Sequence, residues 1–190
     1  MILLIGAGGN AIDAISFLFK NESIQFIDDE KTGKFLNYPI IGTIDKLVNK
    51  DIKDLSYSKI YLCIGSAGNN RTRNKIYEKL KGADYQVSPL IFPSHISQNV
   101  EVGENVLIGL NSQIHHNCVI GNNVVLSPRV TLCGDVTIKD NVFIGAGAVI
   151  IQGCKICKNA IIGAGSVVLH DIEENSTYVG NPARKVKEVG

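Results

Sequence analysis

From Ile96 to Val168 the chain is aliphatic at every sixth position: Ile96, Val102, Ile108, Ile114, Ile120, Leu126, Leu132, Ile138, Ile144, Ile150, Ile156, Ile162 and Val168. Four residues further along each hexad stand Val100, Val106, Ser112, Cys118, Val124, Val130, Val136, Val142, Ala148, Cys154, Ala160, Ser166 and Ile172, nearly all small or β-branched. The second slot is often glycine, as at Gly103, Gly109, Gly121, Gly145 and Gly163, where a backbone turning a corner gains from lacking a Cβ. One short strand and one corner per hexad, three hexads to a coil, predict a triangular parallel β-solenoid with the aliphatic residues stacked inside. The hexads run without insertion to Glu173, and the tail "NSTYVGNPARKVKEVG" is predicted to leave the prism, with Pro182 ending the ladder.

The first half follows a different grammar. "MILLIGAGGNAIDAISFLFKN" reads as an apolar strand, a glycine turn and an amphipathic helix, and "SIQFIDD" as a second strand. "KIYLCIGSAGNNRTRNKIYEKL" repeats the plan, with Ile76, Tyr77 and Leu80 on the apolar face of its helix, and "YQVSPLIF" supplies one more strand. Strands alternating with helices predict a parallel sheet covered on both faces. The organisation expected is therefore a small Rossmann-like α/β domain over 1–84, a linker over 85–95, the β-solenoid over 96–173 and a tail over 174–190.

Charge narrows the class of partner. Nineteen Lys and Arg against eighteen Asp and Glu leave a formal charge of +1 over 190 residues, so no global field recruits nucleic acid or an anionic membrane, and a small-molecule partner is expected. No apolar run reaches the roughly 18 residues of a membrane span, and "MILLIG" is too short and lacks the basic flank of a signal peptide, which predicts a cytoplasmic protein without membrane insertion. Five scattered cysteines do not make a disulfide framework. Cys154 and Cys157 have CxxC spacing but no second pair, so core thiols are expected and no metal site.

The glycine turn "GAGGNA", the acidic pair in "FIDD", "CIGSAGNNRTR", the hexads and the closing "YVGNPAR" together resemble the NeuD-like and PglD-like sugar acyltransferases, and the resemblance covers essentially the whole chain. It implies a left-handed β-helix, a homotrimer, acetyl-CoA in the cleft between neighbouring prisms and a nucleotide sugar on the small α/β domain. The family's catalytic histidine precedes an acidic residue and "VIG". "HHNCVIG" places it at His116, with Asn117 where the acidic neighbour would stand. A second family histidine falls at Val125, so it is absent.

Hexad register bears on the same residue independently. His116 occupies the third, outward slot of its hexad, and one coil later that slot is Gly134. The imidazole should therefore sit above a position without a side chain, where a pantetheine arm could approach and the Gly134 amide could meet a thioester oxygen. An imidazole that titrates near neutrality suits proton abstraction from an amine or hydroxyl. A carboxylate beside it would both fix the tautomer and stabilise the imidazolium, whereas the Asn117 amide can do only the first. Asp135, next to Gly134, comes within reach in the same layout. The competing reading is a solvent-facing solenoid histidine without a role. His115, in a corner slot, is assigned a structural or substrate-edge part.

The remaining candidates are substrate contacts. Ala146 and Ala164, in "GAGAV" and "GAGSV" one coil apart, leave the outer face open to a pantetheine chain, or simply pack a corner. The resemblance runs CoA along this edge, where Arg184 and Lys185 could pair with its phosphates. "GAGGNA" with Asp28 at the end of the second strand has the spacing of a dinucleotide fingerprint, but so small a domain lacks a second mononucleotide half. What survives is Gly6, Gly8, Gly9 and Asn10 at a helix N-terminus for phosphate, Asp28 and Asp29 for ribose hydroxyls or a base, and Ile64, Gly65 and Ser66 lining the crevice.

These readings point to an acetyl-CoA-dependent acetyltransferase that acylates the amino group of a UDP-type amino sugar, with His116 as general base. Sugar O-acetylation of the sialic-acid type is the nearest variant. A non-catalytic hexapeptide protein that binds a nucleotide sugar is the rival from another class, favoured by Asn117 and Val125. A metal hydratase on the same prism would need three converging histidines. Here His115 and His116 occupy different slots, while His95 and His170 lie near the ends.

Overall fold

The computed structural model describes residues 1–52, 55, 57–65, 70–173 and 175–188. It divides into two units, Met1–Ser66 with Arg71–Leu90, and Ala67–Asn70 with Ile91–Gly190.

In the first unit, β1 (Ile2–Ile5) leads through a glycine turn into α1 (Gly9–Phe17), followed by β2 (Ile24–Ile27), β3 (Lys34–Phe35), β4 (Tyr38–Gly42), α2 (Ile44–Val48), β5 (Lys59–Leu62) and α3 (Arg71–Gly82). The sheet order is β3-β4-β2-β1-β5, with β1 parallel to both β2 and β5. All four residues of β1 are buried, as a parallel strand covered on both faces requires. Tyr77 and Leu80 of α3 pack into the same core as Leu3, Ile5 and Leu62. The hairpin of β3 and β4 has no counterpart in the sequence reading. Its turn residues, Leu36 at φ 47° and Asn37 at φ 69°, form a tight reversal of the kind that pairs right-twisted strands, and leucine is a poor signal for one. "YQVSPLIF" is not a strand of this sheet. Val87 makes an isolated bridge to Ile60, and Leu90–Ile91 edges a sheet of the second unit.

The second unit is a three-sided parallel solenoid. One face carries His95–Ile96, Gln113–Ile114, Thr131–Leu132, Val149–Ile150 and Val167–Val168, each strand in register with the residues one coil away, as Gln113 with Thr131. The other two faces are built alike from the intervening hexads. The aliphatic first slots and the small fifth slots form one buried core from Val106 to Ile172.

The corners obey a rule of their own. The fourth slot of each hexad, from Asn99 through Asn105, Asn111, Asn117, Asn123, Arg129, Asp135, Asn141, Gly147, Gly153 and Asn159 to Gly165, has φ between 51° and 77°. Only glycine, and asparagine or aspartate among side-chain-bearing residues, enter this left-handed region at low cost, which accounts for every fourth slot but Arg129.

The last coil departs from the expected register. Ile172 bridges Ile156 and Tyr178 pairs with Ile162, separations of 172 − 156 = 16 and 178 − 162 = 16 residues, where Gln113 and Thr131 are 131 − 113 = 18 apart. Ile172 therefore takes an aliphatic first slot, not the fifth. Nor does the tail leave the prism. Ser176–Val179 continues one face in parallel, and Arg184–Glu188 folds back antiparallel upon it, beyond a cis Asn181–Pro182 bond.

Candidate active site

The first unit holds a cleft of about 550 Å³ at the carboxyl ends of its central strands. Gly6, Gly8, Gly9, Asn10, Asp28, Asp29, Ile64 and Gly65 all line it, joined by Lys31 and Thr72, which the sequence reading did not single out. Ser66 lies outside the described residues. Gly6 turns at φ 96°, and a Cβ there would come within 2.7 Å of the Ile64 side chain, so the turn and the close approach both demand glycine. Gly8 precedes α1 without a capping side chain, so the Gly9 and Asn10 amides start this nine-residue helix uncapped beside the cleft, while the Ala11 N–H donates to the Gly8 carbonyl at 3.0 Å. The Asn10 amide lies across Gly65, whose Cβ would stand 3.3 Å from Nδ2.

Asp28 organises this loop. Its Oδ2 accepts from the Ala7 N–H at 2.7 Å, and its Oδ1 from the Glu30 and Lys31 N–H groups at 3.0 and 2.8 Å. Burial pushes the carboxyl up, but the three amides and the Lys31 charge outweigh it and hold Asp28 below the usual carboxylate range. Lys31 also donates to the Ala7 carbonyl and lies 4.7 Å from the Phe35 ring centroid. Asp29 Oδ1 accepts from the Ile44 N–H at 2.8 Å, so what a ligand hydroxyl can meet is chiefly its second oxygen. Behind the cleft, the buried guanidinium of Arg73 donates to the Leu62 and Ile64 carbonyls at 2.7 and 3.1 Å and fixes the end of β5. Cys63, on the wall, is pushed up to about 12 by burial and stays a neutral thiol.

In the second unit His116 and Gly134 share a corner. A Cβ on Gly134 would fall 2.4 Å from His116 Nε2, so the imidazole itself fills the space above the glycine. That space is not left to a pantetheine arm, and Gly134 lies buried under the ring instead of presenting an open amide. The imidazole is 58% exposed and its Nε2 stands 3.9 Å from Asp135 Oδ2. Asn117, at φ 58°, donates from Nδ2 to Asp135 Oδ1 at 2.9 Å, and Gln152 Nε2 donates to Oδ2 at 3.1 Å. These two amides, with the nearby His116, hold the Asp135 carboxyl below the usual range. Gln152 belongs to the same outward column as His116 and Gly134, one coil further on, and that column is the signal by which it could have been found.

Ala146 and Ala164 stack at another corner, where the Gly165 N–H donates to the Ala146 carbonyl at 2.8 Å. The strands Thr131–Leu132 and Val149–Ile150 run between this corner and that of His116, so the two corners flank one face of the prism. Arg184 and Lys185 are exposed on the returning strand. His115 and His95 face each other on the outer face with ring centroids 6.4 Å apart. Among the described residues, no His, Cys, Asp and Glu group could hold a metal ion and no helix is long and apolar enough to cross a membrane.

Comparison with known proteins follows the two units. Residues 1–80 match the PglD N-terminal domain, and residues 94–134 and 135–170 match the bacterial transferase hexapeptide family (six repeats). A histidine-to-alanine variant of GDP-perosamine N-acetyltransferase from Caulobacter crescentus, solved in complex with CoA and GDP-perosamine, is 26% identical. It aligns over 98% of this chain and 97% of its own with a TM-score of 0.71. WeeI from Acinetobacter baumannii AYE is 25% identical over 98% of this chain and 99% of its own, with a TM-score of 0.64. The acetyltransferase domain of PglB from Neisseria gonorrhoeae FA1090, 24% identical over 97% and 98% at a TM-score of 0.67, shares the fold. No curated protein sequence matches the chain significantly. Two domain matches in the order of the two units, and whole-length likeness to sugar acetyltransferases, lead to one conclusion: the chain belongs to the hexapeptide-repeat acyltransferases of the left-handed β-helix superfamily, with a PglD-type N-terminal domain.

Proposed function

We infer that the chain transfers the acetyl group of acetyl-CoA to the amino group of a sugar carried on a nucleoside diphosphate. The observation that carries this reading is the presence in one chain of a half-exposed imidazole seated over Gly134 and a glycine-turn cleft of about 550 Å³, large enough for a nucleotide. The sugar nitrogen attacks the thioester carbonyl carbon, His116 takes its proton, the C–S bond breaks as the C–N bond forms, and the proton passes to the departing thiolate. Products are the N-acetyl sugar and free CoA. In the cleft, the α1 amides and Lys31 meet the diphosphate and Asp29 a ribose or base N–H or O–H.

The acyl donor would lie along Ala146 and Ala164, with Arg184 and Lys185 near its phosphates. These alanines and His116 border opposite edges of one face, so a single pantetheine arm meets both most simply where a second prism brings its alanine edge beside the first prism's histidine. A homotrimer in the cytoplasm, where acetyl-CoA is made and used, fits that requirement.

The test is incubation with acetyl-CoA and UDP-, dTDP- or GDP-linked sugars, each with and without its amino group, read by mass spectrometry. Gain of one acetyl group on an amino sugar supports the reading. Acetylation only of amine-free sugars would move it to O-acetylation, and no product with any sugar would favour a binding protein.

A further inference from the structure

We propose that the carboxylate serving His116 comes from the next coil: Asp135, clamped by Asn117 and Gln152, turns Nε2 of the imidazole inward and leaves Nδ1 to take the substrate proton. The proposal rests on His116 being the base and names the residue that positions it and the nitrogen that works. Next to His116 in sequence there is no acid: the fourth slot is a left-handed corner that Asn117 fills at φ 58°. One coil on, the same slot holds Asp135, at φ 61°, whose Oδ2 is 3.9 Å from Nε2. Its two oxygens are held by different neighbours, Oδ1 by Asn117 at 2.9 Å and Oδ2 by Gln152 at 3.1 Å, so the carboxylate cannot swing away without losing both. Asn117 thus supports the base at one remove: it fixes the acid, which faces the ring.

The ring orientation follows from the same geometry. The Nε2 edge lies over Gly134 and toward the carboxylate, while Nδ1 makes no hydrogen bond among the described residues. A carboxylate facing Nε2 favours the tautomer with its proton there, which leaves the Nδ1 lone pair as acceptor and stabilises the imidazolium formed when it is used. The titratable groups beside this corner in sequence are His115 and the thiols of Cys118 and Cys133. Burial pushes Cys118 up, as do Asp135 and Cys133 by their charges, so it does not compete for the proton.

Two measurements on the full chain test this. Long-range ¹H–¹⁵N correlation spectra of ¹⁵N-histidine protein, with His116 assigned by comparison with His116→Ala, should show neutral His116 protonated on Nε2. The opposite tautomer overturns the proposal, whatever the sugar substrate. In kinetics, Asp135→Asn, which keeps a residue suited to the corner, should lower kcat roughly tenfold with little change in KM. The effect is modest because pair and carboxylate are half exposed. The acid limb of its pH profile should move to lower pH, since the imidazolium has lost its counter-charge, and Gln152→Ala should move both in the same direction by less. A wild-type rate and profile in Asp135→Asn, beside an inactive His116→Ala, would overturn the role of Asp135 while the base survives. Full activity in His116→Ala would remove both.

Discussion

The imidazole of His116 rests on Gly134 so closely that a single added methyl group would lie 2.4 Å from Nε2. Gly134 is not at a left-handed φ, so alanine fits the backbone there, and the three nearest atoms its methyl group would meet all belong to the ring. Gly134→Ala should therefore fold and melt like the wild type but swing the imidazole off its seat. A displacement of about 1 Å at a reacting group costs on the order of a hundredfold in kcat. Steady-state kinetics beside a thermal melt would check this, and unchanged kcat would show that the seat is irrelevant to turnover.

Restoring an acid next to His116 should not help. Asn117→Asp would remove the amide that donates to Asp135 at 2.9 Å and set a second carboxylate against the first. Like charges raise each other's pKa and draw a proton. Turnover near neutral pH is expected to stay level or fall by a few-fold, and the variant's acid limb should sharpen. A clear gain in kcat over the wild type would contradict the geometry described at this corner.

Asp28 ties the glycine turn to the end of β2 through three amides, and its carboxyl is held below its ordinary value of 3.8. A depressed folded-state pKa means that the contribution is fully present above that ordinary value and is lost as pH falls through the lower, folded one. Asp28→Asn should cost about 1–2 kcal/mol near neutrality and raise KM for the nucleotide sugar more than for acetyl-CoA. Denaturant melts at neutral pH and at pH 3 should show the difference from wild type shrinking as the medium becomes acidic.

Asn123 joins the corner rule to a buried ladder. Its Nδ2 donates to Asn141 Oδ1 at 2.8 Å and its own Oδ1 accepts from Asn105 at 2.7 Å, at φ 54°. Asn123→Gly keeps the backbone and loses the ladder, while Asn123→Ala loses both. The alanine variant should be less stable by about 2–4 kcal/mol, and the glycine variant by about 1–2 kcal/mol less than that. Equal melting temperatures would mean that the left-handed corner carries no cost.

The period of six made the solenoid legible because an inward aliphatic side chain is the one thing every hexad needs, and Ile114 or Ile138 announces itself whatever surrounds it. The corners were equally regular, yet asparagine at 99, 105, 111, 117, 123, 141 and 159 reads as ordinary surface polarity until the positive φ is known. Asn117, compared with the acid expected from the family motif, likewise gave no sign of being a corner residue. Asp28 read as a ribose contact from its spacing, but spacing does not reveal that the Ala7 amide already holds its Oδ2. The short last coil escaped notice because Ile172 suits a first slot as well as a fifth. The β3–β4 hairpin was hidden by a leucine where glycine or asparagine would have marked the turn.

The most direct test of the account is thiol release from acetyl-CoA, followed with and without a nucleotide-linked amino sugar, for the wild type beside His116→Ala. Sugar-dependent release that falls by roughly a hundredfold or more in the variant, the range expected for loss of a general base, is the predicted result. Release that does not depend on the sugar, or that survives unchanged without the imidazole, would contradict it.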